Sequence, residues 1–169
     1  NSGYSGIFVG ETPLVERNVV SGFCATVNDG GGIYWDQTTG MVLQDNIVRD
    51  AIGNIETAAT NYPSVNGRIC PGLYFGNAVI TNTIVRRNTV SNCTIGIMMD
   101  HTMATTNNQV RDNILFNNGV QINLSDMSNT NGPSAVAPYY MAAYNTVVSG
   151  NQLYALAPEQ LCIEIFNFR

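Results

Sequence analysis

Three aspartates and one histidine are the side chains of this sequence best placed for acid–base chemistry. Asp36 and Asp100 each follow a short apolar segment, GIYW and GIMM, and Asp29 lies in the glycine-rich stretch NDGGG. His101, the one histidine of the chain, follows Asp100 directly, and imidazole titrates near neutral pH without help from its surroundings. Because such groups can donate and accept protons, all four are candidate catalytic residues.

Two tyrosines and one arginine are predicted to line the same surface. Tyr34 and Tyr74 occupy equivalent positions in GIYWD and GLYFG, so we expect them on neighbouring strands about 4.8 Å apart. There they either form a stacking platform for a sugar ring or pack across the strands under a covering loop. Arg68 precedes GLYFG, and we treat it, with the two tyrosines, as a candidate substrate-binding residue.

The spacing of Asp36 and Asp100 suits hydrolysis of a glycosidic bond. Their segments are two repeats apart, which places the backbones about 9–10 Å from each other, with Gly76 leaving open space between them. Inverting glycosidases hold their acid and base about 6.5–9.5 Å apart, with room for a water molecule. The alternative is that both aspartates end their strands and bind turn amides.

The elements that position these residues form a repeat. Apolar segments led by Gly begin at residues 6, 32, 72, 96 and 119, and segments led by Asn recur between them as RNVVSG, DNIVRD, RNTVSN, DNILFN and YNTVVSG. Both kinds alternate with period 2, as strands do, and the Asn predicts a bend whose amide binds the Asn of the next turn. Insertions at 54–71 and 125–138 lengthen two turns. This pattern predicts a solenoid of two or three short strands per turn, with loops on one face.

Alternation assigns two apolar rows to the interior and one row to the exterior. The first inward row is Ile7, Ile33, Leu73, Ile97 and Val120. The second is Val9, Trp35, Phe75, Met99 and Ile122. The outward row is Phe8, Tyr34, Tyr74, Met98 and Gln121. A buried Trp35 would need a partner for its N–H, so a local bulge is an alternative there.

Composition limits the partners and cofactors. The formal net charge is −5, all seven basic residues are Arg, and no apolar run could insert in a membrane, so nucleic acid and membrane are excluded. We predict no metal and no cofactor: CxxC spacing is absent, and Ca²⁺, which would suit the Asp and Asn oxygens, has no spaced ligand loop. The disulfide state of the cysteines stays open, and a Cys70–Cys93 bridge is geometrically feasible. The four cysteines are Cys24, Cys70, Cys93 and Cys162.

NDGGGIYWD (28–36), QDNIVRD, GLYFG and NTVSNCTIGIMMDH (88–101) together resemble the repeats of pectate-lyase-like secreted carbohydrate-active proteins. The resemblance covers nearly the whole chain. It implies an all-β fold, a single right-handed parallel β-helix of about six turns over residues 1–169, belonging to a longer helix or larger assembly. It also implies a secreted or cell-surface location, a polysaccharide or oligosaccharide partner, and a role for the Asp-Gly-Gly turn at Asp29. The related proteins commonly carry an acid where this chain has Gly76-Asn77.

Three functions follow from the resemblance. The first is a glycoside hydrolase that uses paired aspartates. The second is a non-catalytic carbohydrate-binding, adhesin or structural segment. The third is a polysaccharide lyase, which in this fold usually abstracts a proton with Lys or Arg, often aided by calcium. Because the chain has no Lys and Arg68 is the main arginine near the candidate face, hydrolysis is favoured over elimination.

Overall fold

The computed structural model describes residues 2–11, 14–57, 63–76, 79–99, 105–126 and 145–167. This part of the chain is all-β with parallel strand pairs only, and its helical structure is limited to two 3₁₀ turns, Ile55–Thr57 and Pro63–Val65. Within it, no helix is long and apolar enough to cross a membrane.

The strands, numbered in chain order, form four parallel sheets. Sheet 1 contains, in paired order, β1 (Ile7–Val9), β4 (Ile33–Trp35), β8 (Pro71–Phe75), β12 (Ile95–Met99), β16 (Val120–Asp126) and β19 (Leu161–Asn167). Sheet 2 contains β5 (Thr38–Thr39), β9 (Ile80–Thr81) and β13 (Thr105–Thr106). Sheet 3 contains β2 (Leu14–Glu16), β6 (Val42–Gln44), β10 (Ile84–Arg86), β14 (Gln109–Arg111) and β17 (Val147–Ser149). Sheet 4 contains β3 (Val19–Ser21), β7 (Ile47–Ala51), β11 (Thr89–Cys93), β15 (Ile114–Phe116) and β18 (Gln152–Tyr154).

The chain visits these sheets in a fixed order. From β4 to β16 it passes three times through sheets 1, 2, 3 and 4 and returns each time to sheet 1. This order is compatible with a parallel β-helix or solenoid, as the repeat predicts. Each of these passes has four strands rather than two or three, because sheet 2 adds strands of only two residues that have no visible sequence pattern.

Residues with positive φ form the corners between sheets. The corner between sheets 2 and 3 has Gly40, Asn82 and Asn107 in this conformation, and Asn145 has it just before β17 of sheet 3. The corner between sheets 4 and 1 has Gly22, Asp50, Asn92 and Asn117. The corner between sheets 3 and 4 has Arg17, Asp45, Arg87, Asp112 and Gly150. Gly, Asn and Asp tolerate the left-handed region best, which explains why they recur where the chain turns sharply.

A ladder of asparagines lies directly after that last corner. Its rungs are Asn18, Asn46, Asn88, Asn113 and Asn151. Each of the first four donates its backbone N–H and its Nδ2–H to the Oδ1 of the Asn in the next pass, at 2.9–3.0 Å. The predicted Asn–Asn contact is therefore confirmed. The predicted fifth member, Asn145, is wrong: it pairs with Asn107 one corner earlier, and Asn151 of GNQLY completes the ladder.

Both apolar rows line the main core, as predicted, up to β12. The register at β16 differs, because Ile97 pairs with Ile122 rather than with Val120. The asparagine ladder aligns Asn113 with Asn88, and Gly119 follows its Asn by two residues fewer than Gly96 does. Ile122 therefore continues the inward row, whereas Val120, predicted to belong to it, pairs with Ile95 and lies in a second apolar cluster outside the main core. Met98 therefore pairs with Asn123, and the predicted outward residue Gln121 is buried beside Asn118 instead.

Trp35 lies in the main core without a bulge. It pairs with Val9 and Phe75 in the two neighbouring strands, and its ring lies 4.4 Å from the ring of Phe75. Its side chain is fully buried, and the indole Nε1 has no hydrogen-bond partner among the described residues. The sequence argument that a buried Trp needs a partner is thus overridden by packing, because the ring fills a large volume of the core.

A column of alternating charge runs along the corner between sheets 3 and 4. In successive passes it contains Arg17, Asp45, Arg87 and Asp112. The Arg87 guanidinium donates two hydrogen bonds of 2.8 Å to the two carboxylate oxygens of Asp45. This contact lowers the pKa of Asp45 and raises the pKa of Arg87.

Candidate functional site

The NDGGG turn holds Asp29 between the start of β4 and the inserted loop. Asn28 is buried, and its side-chain amide exchanges hydrogen bonds of 2.7 and 2.8 Å with the backbone of Asn54 at the start of that loop. The Asp29 N–H donates to the carbonyl of Ile69 at the end of the loop, at 2.7 Å. Asp29 itself has a φ of 66°. Both ends of the insertion therefore hold the turn in place through hydrogen bonds. They fix the backbone at Asp29, which has a strained conformation.

The Asp29 carboxylate is bound by a tyrosine. The Tyr74 hydroxyl donates to Oδ1 of Asp29 at 2.9 Å. Burial raises the pKa of Asp29, although the Tyr74 hydrogen bond acts in the opposite direction. Asp29 is exposed as a whole residue, and the carboxylate is the part that points inward to Tyr74. An acid with a raised pKa that stays in reach of solvent can act as a proton donor.

Tyr34 and Tyr74 are cross-strand neighbours, as the sequence predicts. Their rings lie 5.0 Å apart in an edge-to-face arrangement, and Phe8 stacks on the other side of Tyr34 at 5.3 Å. The Tyr34 hydroxyl makes a long contact of 3.4 Å to Oδ2 of Asp36. The prediction of open space at Gly76 is wrong, because a Cβ built there would lie 2.6 Å from the Tyr34 hydroxyl, which fills that position.

A covering loop closes over part of the outward row. Tyr74 and Met98 are 1% and 0% exposed, and they belong to a second apolar cluster that includes Val65 and Ile69 of the insertion. Tyr34 is half-buried at the edge of this cluster, and Phe8 is 65% exposed. Tyr74 is therefore packed under a covering loop, which was one of the two alternatives predicted for the tyrosines. The aromatic surface that stays accessible for stacking is formed by Phe8 and Tyr34. Val65 and Ile69 are apolar residues in a polar insertion, and this feature of the sequence could have predicted that the insertion packs over the strands.

The groove that Arg68 lines includes neither Tyr34 nor Tyr74. It lines a groove of about 600 Å³ together with polar side chains that include Asn92, Asn117 and Gln160. Those three side chains form a chain of amides, with Asn117 donating to Asn92 at 2.8 Å and Gln160 donating to Asn117 at 2.9 Å. The Arg68 Nε is buried and unpartnered within the described part of the chain. Sequence reasoning missed this groove, because its amides are 25 and 43 residues apart.

Asp100 and His101 lie outside the described residues, as do 58–62 of the first insertion and 127–144, which contain most of the second. The structure therefore brings together Asp29, Tyr34, Asp36 and Tyr74 of the predicted site. In the described ranges, no group of three or more His, Cys, Asp or Glu side chains could hold a metal ion.

These four residues place two carboxylates beside one edge-to-face pair of tyrosine rings. Each carboxylate accepts a hydrogen bond from one tyrosine of the pair, Asp29 from Tyr74 and Asp36 from Tyr34. No protein-family model, no curated protein and no solved structure matches the chain. What the site does has to be inferred from its own residues.

Asp29 should make the folded protein less stable as pH rises. The folded-state pKa of Asp29 lies above the value of an unfolded Asp, about 3.9. The contribution of Asp29 to the free energy of unfolding is therefore fully present below that unfolded value, and it is lost as pH rises through the folded-state pKa. We expect Asp29→Asn to raise the melting temperature at pH 7, because Asn cannot ionise and also tolerates positive φ. Melting temperatures of both proteins, measured from pH 3 to pH 8, check this.

Asp45→Asn is the matched control with the opposite sign. The Arg87 hydrogen bonds lower the pKa of Asp45, so its contribution is present above the unfolded value and is lost as pH falls through the folded pKa. Asp45→Asn should lower the melting temperature at pH 7 and converge with the wild type in acid. If Asp29→Asn behaves like Asp45→Asn, the Asp29 carboxylate is not desolvated in the folded state.

Proposed function

We propose that the four sheets close into a right-handed parallel β-helix that hydrolyses glycosidic bonds of an extracellular polysaccharide. The right hand rests on the strong preference of parallel crossover connections. The observation that carries the function is the Asp29 carboxylate, which combines positive φ, a tyrosine donor and a raised pKa at a solvent-exposed residue. Strained backbone and perturbed acids concentrate at functional sites.

In this proposal, Asp29 is the general acid and Asp36 is the general base. A general acid must be protonated when the leaving-group oxygen departs, and desolvation favours that form of Asp29. Asp36 is half-buried, and its Oδ1 accepts the Gln37 N–H at 3.1 Å. It would activate the attacking water. Tyr74 is a positioning residue that orients Asp29, and the accessible rings of Phe8 and Tyr34 would stack on a sugar. Asp100 and His101 stay predicted members of the site.

The test compares cleavage of a panel of neutral and acidic polysaccharides by the wild type and by matched variants. Asp29→Asn and Asp36→Asn should each lower turnover at least about a hundredfold while the fold is kept. The control is Asp112→Asn, which removes an exposed acid from the corner between sheets 3 and 4 and should leave turnover unchanged. Full turnover in both Asp29→Asn and Asp36→Asn would remove these carboxylates from the mechanism.

Tyr74→Phe separates positioning from a packing role. It deletes the hydroxyl that lowers the pKa of Asp29 and keeps the ring in its apolar cluster. Because Asp29 would then hold its proton to higher pH, the alkaline limb of the pH–rate profile should shift to higher pH. A lower rate with an unmoved profile would indicate that the hydroxyl contributes only to packing.

A non-catalytic carbohydrate-binding function is the second candidate, and the groove at Arg68 favours it. The amides of this groove can bind sugar hydroxyls, and the Arg68 Nε, which is unpartnered among the described residues, can bind a uronate carboxylate. This candidate predicts retention of a polysaccharide in affinity electrophoresis without shortening, and loss of retention in Arg68→Ala. Formation of an unsaturated, ultraviolet-absorbing product would instead support a lyase, the third function open from the sequence.

A further inference from the structure

Three buried cysteines lie close together at the boundary between the first passes of the chain. All four cysteines of the chain are free thiols in the structure, with Cys24, Cys70 and Cys93 buried and Cys162 exposed. The Cys70 Sγ lies 4.0 Å from the carbonyl oxygen of Phe23, the residue bonded to Cys24, so Cys24 and Cys70 are neighbours in the core.

Cys93 has a different partner. Its thiol donates to the carbonyl oxygen of Ser91, two residues back in its own strand, at 3.3 Å. The Cys70–Cys93 bridge that sequence spacing made feasible is therefore not the contact formed. The reason is that Cys93 pairs in register with Ala51 of β7, whereas Cys70 stands before β8 and faces the turn after β3.

We propose that Cys24 and Cys70 form an intramolecular disulfide when the chain folds in an oxidising thiol–disulfide pool. The Cys70 sulfur already lies beside the peptide bond that joins Phe23 to Cys24, so closure of the bond needs little backbone movement. The backbone around both residues is held: the Cys24 N–H donates to the Tyr4 carbonyl at 2.7 Å, and the Cys70 N–H donates to the Thr94 hydroxyl at 2.7 Å.

Burial and neighbouring groups shift the pKa values of these buried thiols. The hydrogen bond from Cys70, together with the Gly30 N–H, lowers the pKa of Cys24 against the effect of burial. The same hydrogen bond, with burial, raises the pKa of Cys70, and burial raises the pKa of Cys93. Both thiols are buried in the folded protein, so the attack on an external disulfide takes place in the folding chain, before the core closes.

The exchange balances with a low-molecular-weight disulfide as oxidant. The thiolate of one of the two cysteines attacks one sulfur of that disulfide, forming a mixed disulfide and expelling one thiolate. The other cysteine then loses its proton and attacks the protein sulfur of the mixed disulfide, which releases the second thiolate. Two S–H bonds of the protein are lost, one S–S bond forms, and two electrons pass to the external disulfide, which leaves as two thiols.

The absence of Lys makes the assignment unambiguous by peptide mapping. Cleavage after Arg places each cysteine in its own peptide, namely 18–49, 69–86, 88–111 and 112–169. The reduced chain is refolded in a mixture of reduced and oxidised glutathione, free thiols are alkylated, and the unreduced protein is digested with trypsin. We expect a linked pair of peptides 18–49 and 69–86, with Cys93 and Cys162 recovered as alkylated thiols.

Two results would overturn the proposal. One is recovery of Cys24 and Cys70 as free alkylated thiols after refolding in an oxidising mixture. The other is a linkage of 69–86 to 88–111, which would mean that Cys93 is the partner of Cys70.

A thermal measurement adds an independent readout on the same proteins. The bond would close a long loop, residues 24–70, so the oxidised protein should melt about 10 °C above the reduced one. Cys24→Ser and Cys70→Ser should each remove this difference, and the control Cys162→Ser should keep it. A lower melting temperature after oxidation would show that the native positions of the two sulfurs do not suit the bond.

Discussion

Replacing Gly96 by Ala should destabilise the protein by about 5 kcal/mol, lowering its melting temperature by about 10–20 °C. A Cβ at this position would lie 2.5 Å from the backbone oxygen of Gln121 and 2.6 Å from Cδ2 of Leu115. The backbone oxygen belongs to the paired strand β16, so it can move only if β12 and β16 separate. Urea unfolding followed by circular dichroism measures the loss.

Gly10→Ala is the matched control for this effect. Gly10 follows β1, and a Cβ built there meets nothing within 4 Å. The same chemical change should therefore alter stability by no more than about 0.5 kcal/mol. Equal unfolding midpoints for Gly96→Ala and Gly10→Ala would contradict the close approach of β12 and β16 at Gly96.

Asn88→Ala should cost about 4 kcal/mol, because it removes the centre of the asparagine ladder. Its Oδ1 accepts the N–H and Nδ2–H of Asn46, and its Nδ2 donates to Oδ1 of Asn113 and to the carbonyl of Leu43, all at 2.9–3.0 Å. These groups are buried, so their partners lose their hydrogen bonds without gaining water. The free energy of unfolding, measured with urea, checks the expected loss.

Asn18→Ala provides the comparison at the end of the ladder. Asn18 is half-buried and donates its side-chain amide to Asn46 and to the carbonyl of Glu16, so its removal should cost about 1 kcal/mol. Asn88→Asp should fall between the two in acid, where a protonated carboxyl can still donate, and should lose stability as pH rises. Equal losses for Asn18→Ala and Asn88→Ala would mean that ladder position does not matter.

Much of the strand pattern could be predicted from short motifs, and the errors have local causes. The Gly-led segments place Tyr34 beside Tyr74 because both follow their Gly by the same two residues. The same rule fails at Gly119, where the asparagine ladder determines the register and the Gly arrives two residues early. The last strand of sheet 1, Leu161–Asn167, was missed because Gln160 stands where a Gly was expected.

The candidate site could be predicted less well, because its residues depend on contacts between distant segments. The sequence suggests Asp29 from its glycine-rich turn, but its tyrosine partner is 45 residues away. The burial of Tyr74 depends on Val65 and Ile69, whose position over sheet 1 has no periodic signal. The sequence predicted open space at Gly76, but the hydroxyl of Tyr34, in the neighbouring strand β4, fills that space.

The column of alternating charges disfavours stacking errors between repeats of similar sequence. It contains Arg17, Asp45, Arg87 and Asp112. Every pass from β4 to β15 places an Asn in the ladder and apolar residues in the core, so these kinds of contact repeat from one pass to the next. If one pass were skipped during folding, contacts of the same kinds could form again, but Arg17 would meet Arg87 and Asp45 would meet Asp112. Like charges in direct contact oppose that arrangement, so the surface column adds to the discrimination between neighbouring passes.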